Sequence, residues 1–190
     1  VYPAWVCPAN CPTIKRFVQT QHQNDHGARQ AAVAAERLFD TICDLQGTPA
    51  YREATAHGAS SSLFQHLLFP TLRELGFREE VNSRSGEAAF RPDFMLDLPD
   101  GGIMVEVERG KTIDNNMDML DMWKCHVHES ARHLILAVPV WYVKLKRDKA
   151  TKVVVGEDKT PTFAKVCRRM SGFFAEGNET NVRSLHVLGY

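Results

Sequence analysis

Acidic residues set inside apolar strands constrain this chain more than any other feature. Arg91-Pro92-Asp93-Phe94-Met95-Leu96-Asp97 leads through a Pro99-Asp100-Gly101-Gly102 turn into Ile103-Met104-Val105-Glu106-Val107-Glu108-Arg109. Two apolar runs around such a turn predict a β-hairpin, with strands over Ala88–Leu98 and Gly102–Arg109. Residues i and i+2 of a strand point the same way. Glu106 and Glu108 therefore share a face, and the hairpin can set Asp93 beside them. Carboxylates gathered on one face repel each other unless something neutralises them. A hard divalent cation such as Mg²⁺, which takes oxygen ligands, meets that need. The other reading is a solvated outer face on which the same residues meet only water.

Periodicity supplies the surrounding elements. Ala31, Ala35, Leu38, Ile42 and Leu45 predict a helix over Ala28–Leu45, stopped by Gly47 and Pro49. Residues 48–59 are expected to be a loop. A second helix starts at Ser60 or Ser61, carries a kink or break at Pro70, and ends at Gly76. Phe77–Val81 is a candidate first strand, followed by a polar turn over 82–87. Thr112 or Asp114 can cap a third helix, with Ile113, Met117, Leu120, Lys124 and Val127 along one face. His133–Val140 is almost continuously apolar and predicts a strand buried on both sides. A helix between two strands implies a right-handed parallel crossover. Lys152–Val155, Thr162–Phe174 and Val182–Leu188 extend the pattern as strand, helix and strand. Residues 1–27 lack a period and are expected to form an N-terminal arm. Residues 28–190 form a single domain, with a core over about 60–140 and a basic part over 141–190.

Formal net charge is zero, which excludes a bulk polycation that coats nucleic acid. The charge is segregated, however. Asp93–Glu129 holds nine acidic and three basic residues, and Trp141–Arg169 holds nine basic and three acidic. An acidic centre beside a basic segment suits a metal site next to an anionic polymer; chance segregation on a solvated surface is the plain alternative. The five cysteines show no repeated metal-site spacing. Cys43 and Cys125 fall in helical segments as small buried residues. With neither a signal-peptide pattern nor a membrane-length apolar run, a reduced, cytoplasmic setting without membrane contact is expected.

Pro92-Asp93, a gap of twelve residues, Glu106-Val107-Glu108, and then a helix and an apolar strand together resemble the PD-(D/E)xK nuclease superfamily. The resemblance covers about residues 60–140. It implies an α/β fold of the restriction-endonuclease-like kind, a mixed central sheet flanked by helices with an αβββαβ core. It also implies a nuclease that depends on Mg²⁺ or Mn²⁺ and hydrolyses phosphodiester bonds of nucleic acid, with DNA the expected partner and a homodimer left open. Restriction, repair, mobile-element and phage-defence roles all fit. Asp93 and Glu106 would be metal ligands together with the Val107 carbonyl. Glu108 stands where the family usually has Lys, as in some type II restriction endonucleases. It could act as a base or help to bind a second metal, but it cannot supply positive charge. Lys124 on the following helix, or Lys111 in the loop before it, could supply that charge. For Lys124 the plain reading is a surface lysine with a packed stem, and for Lys111 a loop residue. Gln65, or more weakly Glu74, could approach the site from the preceding helix. Lys144, Lys146, Arg147, Lys149 and Lys152 follow Trp141-Tyr142, and basic residues beside aromatic ones suit a nucleic-acid surface. The loss of the usual Lys supports an alternative, a catalytically inactive nuclease-like fold that binds nucleic acid or serves in assembly.

Overall fold

The computed structural model describes residues 11–79, 91–110 and 112–190. The expected turn at 82–87 lies outside them. In chain order the elements are β1 (Thr13–Val18), α1 (His26–Leu45), α2 (Pro49–Thr55), α3 (Ser61–Glu74), β2 (Arg78–Glu79), β3 (Phe94–Leu96) and β4 (Gly102–Val107). They continue with α4 (Met117–Val127), β5 (Ala131–Val138), β6 (Tyr142–Arg147), β7 (Val154–Thr160), α5 (Thr162–Ser171) and β8 (Ser184–Gly189). Six strands form one mixed sheet in the order β1-β8-β5-β4-β3-β2, and β6 and β7 form a separate ribbon. Strands β4, β5 and β8 run parallel, while β1, β3 and β2 are antiparallel to their neighbours. The stretch from α3 to β5 has the expected order of helix, three strands, helix and strand.

The sheet separates two cores, and strand alternation assigns residues to them. Ile103, Val105, Val107, Ile135, Ala137 and Leu188 pack against Ala35, Leu38 and Ile42 of α1 and Phe64, Leu68 and Leu72 of α3. Met104, Leu134, Leu136, Leu185 and Val187 pack on the opposite side, against Met122 and Cys125 of α4 and Val166 and Met170 of α5. β4 and β5 are apolar along nearly their whole length because helices cover both of their faces. Gly102 sits where a Cβ would come within 2.5 Å of the Met95 side chain and 2.7 Å of the Leu96 carbonyl, so the hairpin closes tightly only with glycine there.

Several expectations are corrected. Thr13–Val18, assigned to an irregular arm, is an edge strand paired with β8 in full register; the first ten residues of that arm lie outside the described set. Residues 48–59 are not all loop, because Pro49–Thr55 is helical. The Thr48 hydroxyl accepts from the Tyr51 N–H and Pro49 sits in the first turn, both of which favour a helix start. Pro70 does not break α3. Pro70 and His66 are exposed, so the carbonyl freed by the missing N–H opens to water. The cap of α4 is Asn116 in a left-handed conformation, φ 55°, rather than Thr112 or Asp114. Cys125 is buried as expected, but Cys43 is exposed. No helix among the described residues is long and apolar enough to cross a membrane.

Phe64 holds α3 in place: it is fully buried, stacks on Tyr190 with ring centroids 3.7 Å apart and meets Tyr51 edge-on. Phe64→Ala should cost about 3–5 kcal/mol of stability, the scale for emptying a buried aromatic site, measured as a lower midpoint in urea denaturation with an unchanged slope.

Candidate active site

Alternation along β4 positions the acidic residues. Val105 and Val107 face α1 and α3, so Met104 and Glu106 face α4. The register pairs Phe94 with Val105, and one step further places Asp93 opposite Glu106. Phe94 packs in the α1–α3 core and Met95 in the α4–α5 core. Asp93, just ahead of β3 rather than within it, therefore lies on the face of Met95 and Glu106. Its Oδ2 accepts from the Val107 N–H at 2.8 Å, which fixes the carboxylate against the end of β4. The Gln65 side chain, one residue after Phe64 on α3, hydrogen-bonds Asp93.

Helix α4 completes the cluster. Lys124 Nζ donates to Glu106 Oε1 at 3.0 Å and lies 2.9 Å from Asp121 Oδ1. Glu106 and Asp121 are almost fully buried, and the Lys124 side chain retains only 13% exposure. Besides Lys124, Asp121 meets the Glu108 carboxyl, so two acids and one ammonium are in contact there. Burial opposes charge throughout the cluster. It raises Glu106 well above the ordinary glutamate value, with Asp121 and Asp93 adding repulsion and Lys124 opposing them. Glu108 is raised to about 8 by burial and by the adjacent Asp121 and Asp93. Asp121 is raised by burial, against the pull of Lys124. Asp93 is also raised by burial, partly offset by its bonds to Val107 and Gln65 and by Lys124. Burial alone would lower Lys124, but Glu106 and Asp121 more than reverse this and hold it charged.

The structure thus brings Asp93, Glu106, Glu108, Lys124 and Gln65 together. It adds Asp121, which apolar periodicity had passed over although it stands one helical turn before Lys124. The expected α4 stripe is corrected. Leu120 and Val127 are exposed, at 42% and 39%, while Asp118, Asp121, Met122 and Cys125 are buried. Lys124 reaches the cluster from the border of that face. Lys111 lies outside the described residues. Glu74 lies within 4.0 Å of Arg37 on the exposed side of α3, away from Asp93.

The basic segment forms the β6–β7 ribbon, and it carries acid as well as base. Lys144 pairs across the strands with Asp158, and Lys146 Nζ lies 3.9 Å from Asp158 Oδ2. Arg147 donates to the Lys152 carbonyl at 3.2 Å. Lys149 and Lys152 are exposed near the tip, where Asp148 closes the turn by accepting from the Thr151 N–H at 2.7 Å. Arg169, on α5, pairs with the buried Asp118 at 3.0 Å and ties α5 to α4.

Among the described residues, no group of three His, Cys, Asp or Glu is arranged to hold a metal ion. The chemistry of the set nonetheless suits a hard divalent cation. Its acidic donors are all carboxylate oxygens, although Asp121 already has Lys124 at 2.9 Å and the Glu108 carboxyl beside it. Four acids facing one ammonium also leave negative charge that only protons or a further cation can offset. No protein-family model matches the chain, and no curated protein matches it in sequence.

Glu108 gives the cluster a pH signature. Its ordinary value is 4.5 and its folded value about 8, so between those limits the folded chain holds a proton that the unfolded chain has released. Stability then falls as pH rises through that window and levels off above it. In wild type, chemical denaturation from pH 4.5 to 8.5 should show this decline, and Glu108→Gln should make it shallower, the remainder coming from the other raised carboxyls of the cluster.

Proposed function

We propose that this chain is a metal-dependent nuclease of the restriction-endonuclease-like fold, acting on phosphodiester bonds of DNA. One observation carries the reading. Asp93, Glu106, Glu108 and Lys124 converge on one face of a hairpin and crossover whose element order, α3-β2-β3-β4-α4-β5, is the one the motif implies. Asp93 and Glu106, with the Val107 carbonyl, are the residues that would hold Mg²⁺ or Mn²⁺. Bound there, such an ion supplies Lewis-acid stabilisation of a phosphate oxygen and lowers the pKa of a water molecule.

The chain's own residues divide the remaining work. Glu108, raised to about 8, can take a proton from an attacking water near neutral pH, the range in which a general base is effective. Glu108 occupies the family's usual lysine position, and Lys124, reaching in from α4, brings the positive charge that an acidic site needs beside a phosphate. Gln65 and the Val107 N–H orient Asp93. Asp121 lies 2.9 Å from Lys124 and so acts as a positioning residue.

A second reading has its own support. Lys124 is already drawn to two carboxylates, and a lysine locked in that way would suit an inactive fold that binds nucleic acid without cutting it.

Incubation of the purified chain with plasmid, single-stranded DNA and RNA, in Mg²⁺, Mn²⁺ or chelator, separates the two readings. Cleavage should require metal and be lost in Asp93→Asn and Glu106→Gln. Lys124→Ala should lower the rate about 10²-fold or more, the scale of one lost transition-state contact, while binding persists. Metal-independent binding without cleavage under every condition would leave the inactive fold as the answer.

A further inference from the structure

At the end of β4, the next residue opens onto a second site. Glu106 and Glu108 face α4, so Val107 and Arg109 face the α1–α3 side. Arg109 lines a cavity of about 340 Å³ there, together with Arg52, His57, Tyr51, Trp141 and Tyr142. That volume is within the range of small-molecule sites, roughly 300–1,000 Å³. Three basic side chains and four aromatic ones, counting Tyr190, line it, and among the described residues no acidic side chain does.

The walls are preorganised. Arg109 Nε donates to the Ala59 carbonyl at 3.0 Å and a terminal nitrogen donates to the Ala56 carbonyl, which fixes the guanidinium at the cavity edge. His57 Nδ1 donates to the Val143 carbonyl at 3.0 Å, joining the loop after α2 to β6. Arg52 donates one nitrogen to the Gly47 carbonyl at 2.6 Å and is otherwise exposed. Trp141 keeps 39% of its surface open. The Tyr190 hydroxyl donates to the Glu108 carbonyl at 2.7 Å, so one backbone position anchors both the cavity wall and the acidic cluster.

We propose that this cavity binds a single nucleotide unit, with its base stacked on Trp141 and its phosphate held by Arg52 and Arg109. A flat ring carrying an anion matches aromatic faces beside guanidinium groups and an acid-free lining. The assignment rests on the nuclease reading for its biological sense, because the bound unit would belong to the strand presented to Glu106 and Glu108. The binding itself requires neither metal nor cleavage.

Isothermal titration calorimetry on the full chain in chelator tests it with deoxynucleoside monophosphates, the corresponding nucleosides and inorganic phosphate. At least one monophosphate should bind in the millimolar range or tighter, and its nucleoside and inorganic phosphate should each bind about tenfold more weakly. Trp141→Ala should weaken binding about fivefold or more, on the scale of one lost stacking partner, and Arg52→Ala should do likewise. Both residues are exposed, and thermal melts should confirm that both variants fold. Asp93→Asn should bind as wild type does. The proposal is overturned if no monophosphate binds, if inorganic phosphate binds equally well, or if Asp93→Asn abolishes binding while Trp141→Ala leaves it intact. Nucleotide binding in a chain that cleaves nothing would retain the cavity and remove the nuclease reading; cleavage without nucleotide binding would do the reverse.

Discussion

Strand β4 is buried along its whole length, and its pleat decides what each face of the molecule contains. Odd positions from Ile103 to Val107 build the core under α1 and α3, and even positions from Met104 to Glu106 face α4. A slip of one residue would exchange the faces, sending Glu106 into an apolar core and Val107 into the acidic cluster. Pairing on both sides prevents that slip: β3 holds β4 through Phe94–Val105 and β5 holds it through Glu106–Leu136. The register that builds the two cores therefore also aims the carboxylates.

Charge balance is the second constraint. Removing ions from water costs several kcal/mol each unless they are paired, yet Glu106 and Asp121 are buried beside Asp93 and Glu108. Lys124 offsets part of this, and raised proton affinities offset more. A structural ion pair would need one acid for one base. A surplus of acid around one lysine is unfavourable for folding and has to be offset by bound protons or by a further cation. Asp118, on the same helix as Asp121, gives the contrast: one buried acid against one base, Arg169 of α5, a pair that ties α4 to α5.

How much of this was legible in the sequence follows from the kind of signal each element carries. The hairpin was legible because two apolar runs flank the Pro99–Gly102 turn and stay recognisable with Glu106 and Glu108 inserted in the second. The crossover was legible because β5 is buried on both faces and so nearly all apolar. The packed face of α4 was not, because its buried positions include Asp118 and Asp121 while Leu120 and Val127 face outward. A rule that counts apolar residues then selects the wrong stripe, and it placed Lys124 correctly only because that residue borders both. The available signal for Asp121 was its position one turn before Lys124, where opposite charges meet on a helix. β1 was hidden because an edge strand presents one face to solvent, and Thr13–Val18 mixes Lys15 and Arg16 with Ile14 and Phe17. Helix α2 was announced by Thr48-Pro49, a cap and first-turn pair outweighed there by its shortness.

Both candidate sites lie at one end of the sheet, and topology explains why. Strands β4, β5 and β8 are parallel, so their carboxyl ends open on the same side, where open α/β sheets place their ligands. The residues that leave those ends are Glu108 and Arg109 after β4, Pro139 to Trp141 after β5, and Tyr190 after β8. Arg109, the residues after β5 and Tyr190 line the cavity, and Glu108 belongs to the acidic cluster. β3, which runs the other way, brings Asp93 to that same end at its start rather than its finish. At that end carboxylates lie on one side of β4 and guanidinium and indole groups on the other. The two kinds of chemistry are separated only by the backbone between Glu108 and Arg109, so their spacing is set by one peptide unit rather than by a flexible loop.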